Sequence, residues 1–416
     1  FNVDDCPALK GAYTARGSKG QYITVIPKLD MVVAHKTDPI DGATTFEQYY
    51  TLLKMIINSK DKQPLPENVD ELKSKEWYLE RVAEVGRAAK VPIIQVAYKD
   101  RTRKILLESA NFDSAAARPD ATTVFQAASI SKVLFSYIVM LLVDEGKIDL
   151  DKPLYEYTGG IVEDRFKDAV PGNAEASARN EAWAKLITAR IVLTHSTGLP
   201  NWMRNGGASN AKLVMSQAPG KGFTYSGEGI YYLQRVVEHI TGLTLNQLAD
   251  KYVFVPLGMT HSSYKWRDEY AQLAAYAYNA DMMKGSQRTS MPENAAYSLR
   301  TNAKDFSLFL EAAVIEGRGL KPDTYTQWLS AQRLIKPGYY YGLGIRISPN
   351  TDSESYGPLL SHGGSNGGTS GFRCKFWIFP KQQTYCVYFT NSVNGGGNTE
   401  KKIYQLFFPQ YPDTKY

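Results

Sequence analysis

The sequence predicts an α/β chain of the α+β kind: an antiparallel sheet flanked by helices, with a mainly helical region inserted between its strands. Three observations carry this. Strand-like runs open the long unit ("PIIQVAYK", "KILLES") and others close it ("GLGIRIS", "RCKFWIF", "TYCVYFT"). Between about 126 and 294 the apolar spacing is mainly helical, with long loops. Strands at both ends of one unit, with helices between, make one sheet from both ends and set the middle aside as a separate layer.

Taken in order, "QYITVIPKLDMVVAHK" (21–36) alternates and pauses at Pro27-Lys28, as two strands around a short turn do. Thr44 with Glu47 forms a capping-box string before "FEQYYTLLKMIINSK", whose Phe46, Tyr49, Leu53, Ile56 and Ile57 share helical spacing. The charged, proline-punctuated stretch that follows reads as a linker. The expected division is therefore 1–60, a linker at 61–75, and a main domain at 76–416. That domain starts with an amphipathic helix, "EWYLERVAEVGRAAK", and "AAYSLRTNAKDFSLFLEAAV" reads as a late helix. Residues 17–33 and 367–387 share an order of Gly, strand, Pro-Lys turn and strand, an internal echo.

Composition narrows the function. At 416 residues with 43% apolar and 22% charged side chains, the chain suits an ordinary globular core. A net charge of +6 from dispersed Lys and Arg leaves no nucleic-acid footprint. No apolar run has membrane-span length. Three cysteines (Cys6, Cys374, Cys386) exclude a disulfide framework and an ordinary zinc site. A bridge between Cys374 and Cys386 across the "FPKQQT" turn depends on strand register. The remaining histidines (His35, His239, His261) have no metal-spaced partners, so no metal or organic cofactor is expected. Phe1 opens the chain without a signal peptide, which fits a mature or truncated product and a periplasmic or secreted location, the cytoplasm remaining open.

The chemistry starts at "FQAASISKVLFSYIVMLLVDEG" (125–146), an apolar helix stopped at Gly146. Ser129 and Lys132 lie on one face at its N-terminal end, where unpaired N–H groups favour an alkoxide. A partly desolvated lysine there has its proton affinity lowered, so the pair suits a serine nucleophile with a lysine partner. The same string at Ser59–Lys62 and Ser209–Lys212 lies in polar stretches read as solvated loop. A second proton carrier is offered by Tyr225 in "GFTYSGEGIYYLQ", just before a helix. "LLSHGGSNGGTSGF" brings His362, Gly364 and Ser365 to the start of a strand, where glycines admit a substrate and an edge N–H holds an oxyanion. His362 is an additional cation or hydrogen-bond donor there; His195, in "LTHSTGLP", is read as stabilising its loop.

Ser-x-x-Lys, then Tyr-x-x, then His-x-Gly, spaced by roughly a hundred residues, resemble the penicillin-recognising serine hydrolases. These comprise class C β-lactamases, D-Ala-D-Ala carboxypeptidases and their related esterases. "VLTHSTGLPNW", "VFVPLGMTHSSY", "YYYGLGI" and "HGGSNGG" look like that family's phrases, and the resemblance spans 76–416. It implies a β-lactamase-like fold, Ser129 as nucleophile, and Lys132 and Tyr225 as proton-transfer partners. It also implies a third motif at His362–Ser365, with the N–H groups of Ser129 and Ser365 as oxyanion hole. Tyr225-Ser226-Gly227 replaces Tyr-x-Asn and offers no amide donor, and His362-Gly363-Gly364 replaces Lys-Thr-Gly and removes a cation. Both departures favour carboxylic esters or small amides over β-lactams and D-peptides. From another class stands a catalytically silent scaffold, against which the three intact residues argue. Residues 1–60 resemble the family's C-terminal hairpin and helix, with Arg16, placed like a third-motif residue, expected to be structural. The expected partner is a small-molecule ester or amide, with a homodimer left open.

Overall fold

The computed structural model describes residues 6–18, 20–36, 44–61, 73–112, 119–203, 212–349 and 356–409, which fall into two compact units, Phe1–Leu72 and Lys73–Tyr416. In the first unit β1 (Tyr13–Gly17), β2 (Gln21–Ile26) and β3 (Met31–His35) form an antiparallel meander beside α1 (Phe46–Asp61). The meander has one strand more than the expected pair. Alternation sends Tyr22 and Ile26 into a core with Tyr49, Leu53 and Ile57 of α1, where Tyr22 stacks on Tyr49 at 4.4 Å. The other face leaves Tyr13, Ile23 and Val32 exposed (61%, 52% and 64%). The capping box forms one residue later than the string suggested: Gln48 N–H donates to Thr45 Oγ1 (3.2 Å) and Thr45 N–H to Gln48 Oε1 (2.9 Å). Ser59 belongs to α1 rather than a loop, while Lys62, Ser209 and most of the expected linker lie outside the described residues.

The second unit begins with α2 (Lys75–Ala89), β4 (Ile93–Lys99) and β5 (Lys104–Ala110). A short strand β6 (Phe125–Gln126) leads into α3 (Ser131–Asp144) and then α4 (Tyr155–Thr158), α5 (Ala174–Ala184), α6 (Ala189–Leu193), α7 (Gly227–Thr241) and α8 (Leu245–Ala249). After α9 (Val255–Leu257), α10 (Tyr270–Leu273), β7 (Tyr278–Asn279) and β8 (Arg300–Thr301) come α11 (Ala303–Phe309) and α12 (Pro322–Trp328). The chain closes with β9 (Arg333–Lys336), β10 (Tyr339–Tyr341), β11 (Arg346–Ser348), β12 (Leu359–Gly367), β13 (Ser370–Phe379), β14 (Thr384–Thr390) and α13 (Asn398–Phe407). The antiparallel order β5-β4-β14-β13-β12-β11-β10-β9 joins the start of the unit to its end, as the strand pattern predicts. One face of this sheet packs on α3 and the helical region, the other on α2 and α13.

The late helix starts at Ala303, not in "AAYSLR". Asn302 caps it by accepting the Asp305 N–H at 2.8 Å, which frees residues 295–301 to form a loop and β8. Register also decides the cysteines. Cys374 pairs with Phe389 and Cys386 with Trp377, so the two thiols point to opposite faces of the sheet and are free and buried, like Cys6. Among the described residues no helix is long and apolar enough to cross a membrane.

Candidate active site

The site begins at a strained turn. Ala128 has φ +47°, the left-handed region that disfavours a Cβ by about 1–2 kcal/mol. It opens a 3-10 turn (Ala128–Ile130) that runs into α3. From Val124 to Leu142 every residue is buried except Ser129, which the turn lifts to the surface. Ser131 locks the turn, its Oγ donating to Ala128 O (2.5 Å) and accepting the Leu299 N–H (3.1 Å).

Lys132, one helical turn on, is buried and donates from Nζ to Ser129 Oγ (3.2 Å) and to Ala296 O (2.7 Å). Burial pushes its pKa below that of an ordinary lysine and Arg346 adds to this, while its interactions with Tyr225 oppose them. The loop carrying Ala296 O is held by Gln234 Oε1, which accepts the Ala295 N–H, and Asn294 Oδ1, which accepts the Ala296 N–H, each at 2.8 Å. Tyr225 is the residue before Ser226, the N-cap of α7, whose Oγ accepts the Gly229 N–H at 2.8 Å. That cap fixes the tyrosine, and the Lys132 ammonium stands 4.9 Å from its ring centre.

Behind Tyr225 runs a buried chain of hydrogen bonds whose direction is set at both ends by the backbone. The Ser226 N–H donates to His195 Nδ1 (3.0 Å), so His195 Nε2 carries the proton and donates to Tyr341 OH (3.2 Å). Tyr341 then donates to His362 Nε2 (2.7 Å), and His362 Nδ1–H donates to Gly363 O (2.8 Å). The chain links the loop of Tyr225 to β12. Burial pushes both imidazole pKa values well below the ordinary range, with neighbouring cations adding to the effect. His362 is therefore a neutral ring with both nitrogens occupied behind the cleft wall; of the two roles expected of it, cation or hydrogen-bond donor, the contacts fit the donor, to Gly363 O.

The opposite wall is β12. Strand β11 covers it only from Leu359 to Ser361, so from His362 onward that edge carries no strand partner among the described residues. A Cβ on Gly364 would lie 2.4 Å from Ala127 O and 2.5 Å from Cys374 Sγ; glycine is what lets the strand lie against the Ser129 turn. The cleft between, about 530 Å³, is lined by Ser129, Asn201, Tyr225, Arg346, Gly363, Gly364, Ser365 and Arg373, among others. Among the described residues no group of His, Cys, Asp and Glu is placed to hold a metal.

Ser129, Lys132 and Tyr225 thus meet at one side of the cleft, with Gly364 and Ser365 across from them. Sequence reasoning missed Asn201, Ala296, Tyr341 and Arg346, and gave His195 only its loop. Asn201 revises one expectation. Its Oδ1 accepts the Gly227 N–H (3.0 Å), and the residue lines the cleft with an amide side chain where Gly227 has none. A Cβ at Gly227 would meet Trp202 at 2.6 Å and Asn201 O at 2.8 Å, so an asparagine has no room there. The "GLPNW" phrase was the available signal for Asn201; nothing local marks Ala296, whose backbone carbonyl does the work.

The sequence pattern of the Beta-lactamase family matches residues 81–408. A Mycobacterium tuberculosis protein is 24% identical over 285 residues, 58% of this chain and 70% of that one. The lovastatin esterase of Penicillium rubens is 29% identical over 164 residues, 34% of this chain and 39% of its own length. A solved class C beta-lactamase matches with a TM-score of 0.66 at 16% identity, covering 84% of this chain and 99% of that one, which shows the fold.

Proposed function

This chain belongs to the beta-lactamase family, and from that premise we propose that it is a serine hydrolase opening carboxylic esters or small amides through an acyl-enzyme. The observation that carries the reading is the buried Lys132 amine bonded to the half-buried hydroxyl of Ser129 at the turn, at 3.2 Å. Ser129 Oγ attacks the carbonyl carbon while its proton passes to Lys132, whose depressed proton affinity leaves a larger free-base fraction near neutral pH. The carbonyl oxygen gains charge against the N–H groups of Ser129 and Ser365. The bond to the alcohol or amine breaks, and that group leaves with a proton returned through Lys132 and Tyr225. Water, deprotonated by the same pair, then attacks the acyl carbon and releases Ser129.

Esters lead because β12 carries His362-Gly363-Gly364, with the imidazole neutral and turned into the protein. The esterase named among the relatives supports the same choice. A second reading, hydrolysis of β-lactams or other amides, is favoured by Asn201, an amide side chain among the residues that line the cleft. Parallel assays of p-nitrophenyl butyrate and nitrocefin decide between them: ester turnover well above nitrocefin turnover is expected, and the reverse overturns the choice. A fluorophosphonate probe should label Ser129; absence of labelling together with absence of turnover would leave the silent-scaffold reading.

A further inference from the structure

Resting on the hydrolase reading above, we propose that His195 is a positioning residue of the reaction. Its imidazole is a spacer that, with Tyr341, holds the Tyr225 phenol beside Lys132 and ties it to the cleft strand β12. The backbone around His195 leads to this. His195 is fully buried and has φ +53°, in the left-handed region that a residue with a Cβ rarely takes. Such a conformation persists only where the surroundings impose it, and here they are the Tyr225 segment. The Thr224 N–H donates to His195 O (2.7 Å) and the Ser226 N–H to His195 Nδ1 (3.0 Å), so both neighbours of Tyr225 are fastened to this one residue. Between them the Tyr225 ring lies against the imidazole, with centroids 4.3 Å apart.

The far side of the imidazole is clamped as well. His195 Nε2–H meets Tyr341 OH (3.2 Å), the Tyr341 ring stands edge-on to the imidazole at 4.8 Å, and Phe223 closes on the two rings at 6.0 and 5.6 Å. Tyr341 passes the contact to His362 Nε2 (2.7 Å), and His362 Nδ1–H ends it on Gly363 O, within β12. A backbone N–H aimed at Nδ1 fixes His195 as the Nε2–H tautomer, because a second proton would face that N–H. Both nitrogens are spent inside the protein. The ring has none left for a substrate, so its part is to hold Tyr225, not to move a proton itself.

In the proposed cycle Tyr225 serves both halves: it helps return a proton to the leaving group and helps deprotonate the water. A phenol free to swing away from Lys132 slows acylation and deacylation together. The turnover number then falls while KM, which follows the ratio of the two steps, stays where it was. A residue that only stabilised its own loop would cost folding stability and leave the rate of each folded molecule unchanged. That difference separates the two roles.

The test uses one variant at each end of the His195–Tyr341 bond. His195→Asn keeps an acceptor for the Ser226 N–H and tolerates the left-handed backbone, but is too short for Tyr341. Tyr341→Phe keeps the ring and removes the hydroxyl. The substrate is p-nitrophenyl butyrate or nitrocefin, whichever the wild type turns over faster. In each variant kcat per folded molecule should fall at least about tenfold, with KM within about threefold. The double variant should lie within about twofold of the less active single one, since both changes open the same chain. With 15N-labelled histidine, the wild-type spectrum should show Nε2–H at His195 and Nδ1–H at His362, and Tyr341→Phe should shift both. Should His195→Asn not fold, Tyr341→Phe and the spectrum decide. An unchanged kcat in a folded variant, fully multiplicative losses in the double variant, or the other tautomer at His195 overturns the proposal, and wild-type turnover then leaves the hydrolase reading standing. No turnover of either substrate by the wild type sinks the hydrolase reading and the positioning role with it.

Discussion

Two three-strand-and-helix pieces of this chain can be laid side by side: β1-β2-β3 with α1, and β12-β13-β14 with α13. Their first hairpins close at the same separation, Gly17 opposite Gln21 and Gly367 opposite Gly371. Their second hairpins do too, Ile26 opposite Met31 and Phe379 opposite Thr384, each around a 3-10 turn begun by proline and ended by a left-handed residue (Asp30 φ 45°, Gln383 φ 53°). Aligned from the first turn, Thr14 matches Gly364, Ala15 matches Ser365 and Arg16 matches Asn366. The environments differ. Strand β14 is buried along its whole length, whereas its counterpart β3 alternates and leaves Val32 exposed. Arg16 lies over the Phe46 ring of its own unit (3.9 Å), whereas Asn366 donates to Gln126 Oε1 (3.0 Å) and Tyr297 O (3.2 Å) beside the Ser129 turn. The same local code builds both pieces, and what it is packed against decides whether the first strand becomes a wall of a cleft.

The sharpest way to break this comparison sets the residue opposite the cleft strand of the second piece against the first piece's counterpart of Ser365. Ser129→Ala should cost on the order of a thousandfold or more in kcat/KM for p-nitrophenyl butyrate, while Ala15→Ser, which gives the first piece the hydroxyl of Ser365, should change nothing. Full activity in the first variant would remove the nucleophile.

A smaller effect is expected where the pieces differ by a side chain. Gly364→Ala drives a Cβ into Ala127 O and Cys374 Sγ, an overpacking cost of about 1–3 kcal/mol in urea unfolding, and it should depress turnover by lifting β12 from the turn. Thr14→Ala removes only the bond to Thr24 Oγ1 at 2.8 Å, about 1 kcal/mol or less. Comparable losses at both positions would mean that the strand does not lie against the turn as described.

The buried imidazoles supply a pH test confined to the second unit. His195 and His362 stay neutral in the folded chain but take up protons when unfolded, below an unfolded pKa of about 6.5. The unfolded state then binds more protons, so stability falls as pH drops below that value, by about 1.4 kcal/mol per unit for each ring until the folded ring itself titrates. Urea unfolding at pH 7 and pH 5 should show His362→Gln losing one ring's share of this slope; an unchanged slope would refute the neutral assignment. The smallest effect should come from deleting residues 1–72. Turnover per folded molecule is expected to stay within about twofold, because the residues assigned to the site all lie in the second unit. A tenfold loss would show that the first unit builds part of the cleft.

Much of the fold was legible because period and punctuation are local. The strands at 93–99 and 104–110, the helix after Ser129 and its stop at Gly146 follow from apolar spacing and turn residues. The catalytic candidates Ser129, Lys132 and Tyr225 were legible for the same reason: each sits at a helix start, and their motifs are short. Asn201, Tyr341 and Arg346 were not, since it is the packing of segments distant in the sequence that brings each to the cleft or to the chain behind it. The late helix was placed too early because "AAYSLR" has helical composition, but its carbonyls and amides are claimed by Lys132, Gln234 and Asn294.

Amino-acid order by itself determined the alternation that builds the sheet, the all-round apolar helix that must be buried, and a serine and lysine one turn apart at its start. Those properties depend on neighbours within a few residues, where backbone geometry leaves little choice. Only the tertiary structure decided that Lys132 would be desolvated against Ala296 O and that His362 would face inward as a neutral ring. It likewise decided that Cys374 and Cys386 would point apart, and that Arg346 would line the cleft beside Arg373 and Glu400. Proton affinity, strand register and the lining of a cleft depend on what arrives from far along the chain, and burial makes each of them a property of the packed whole.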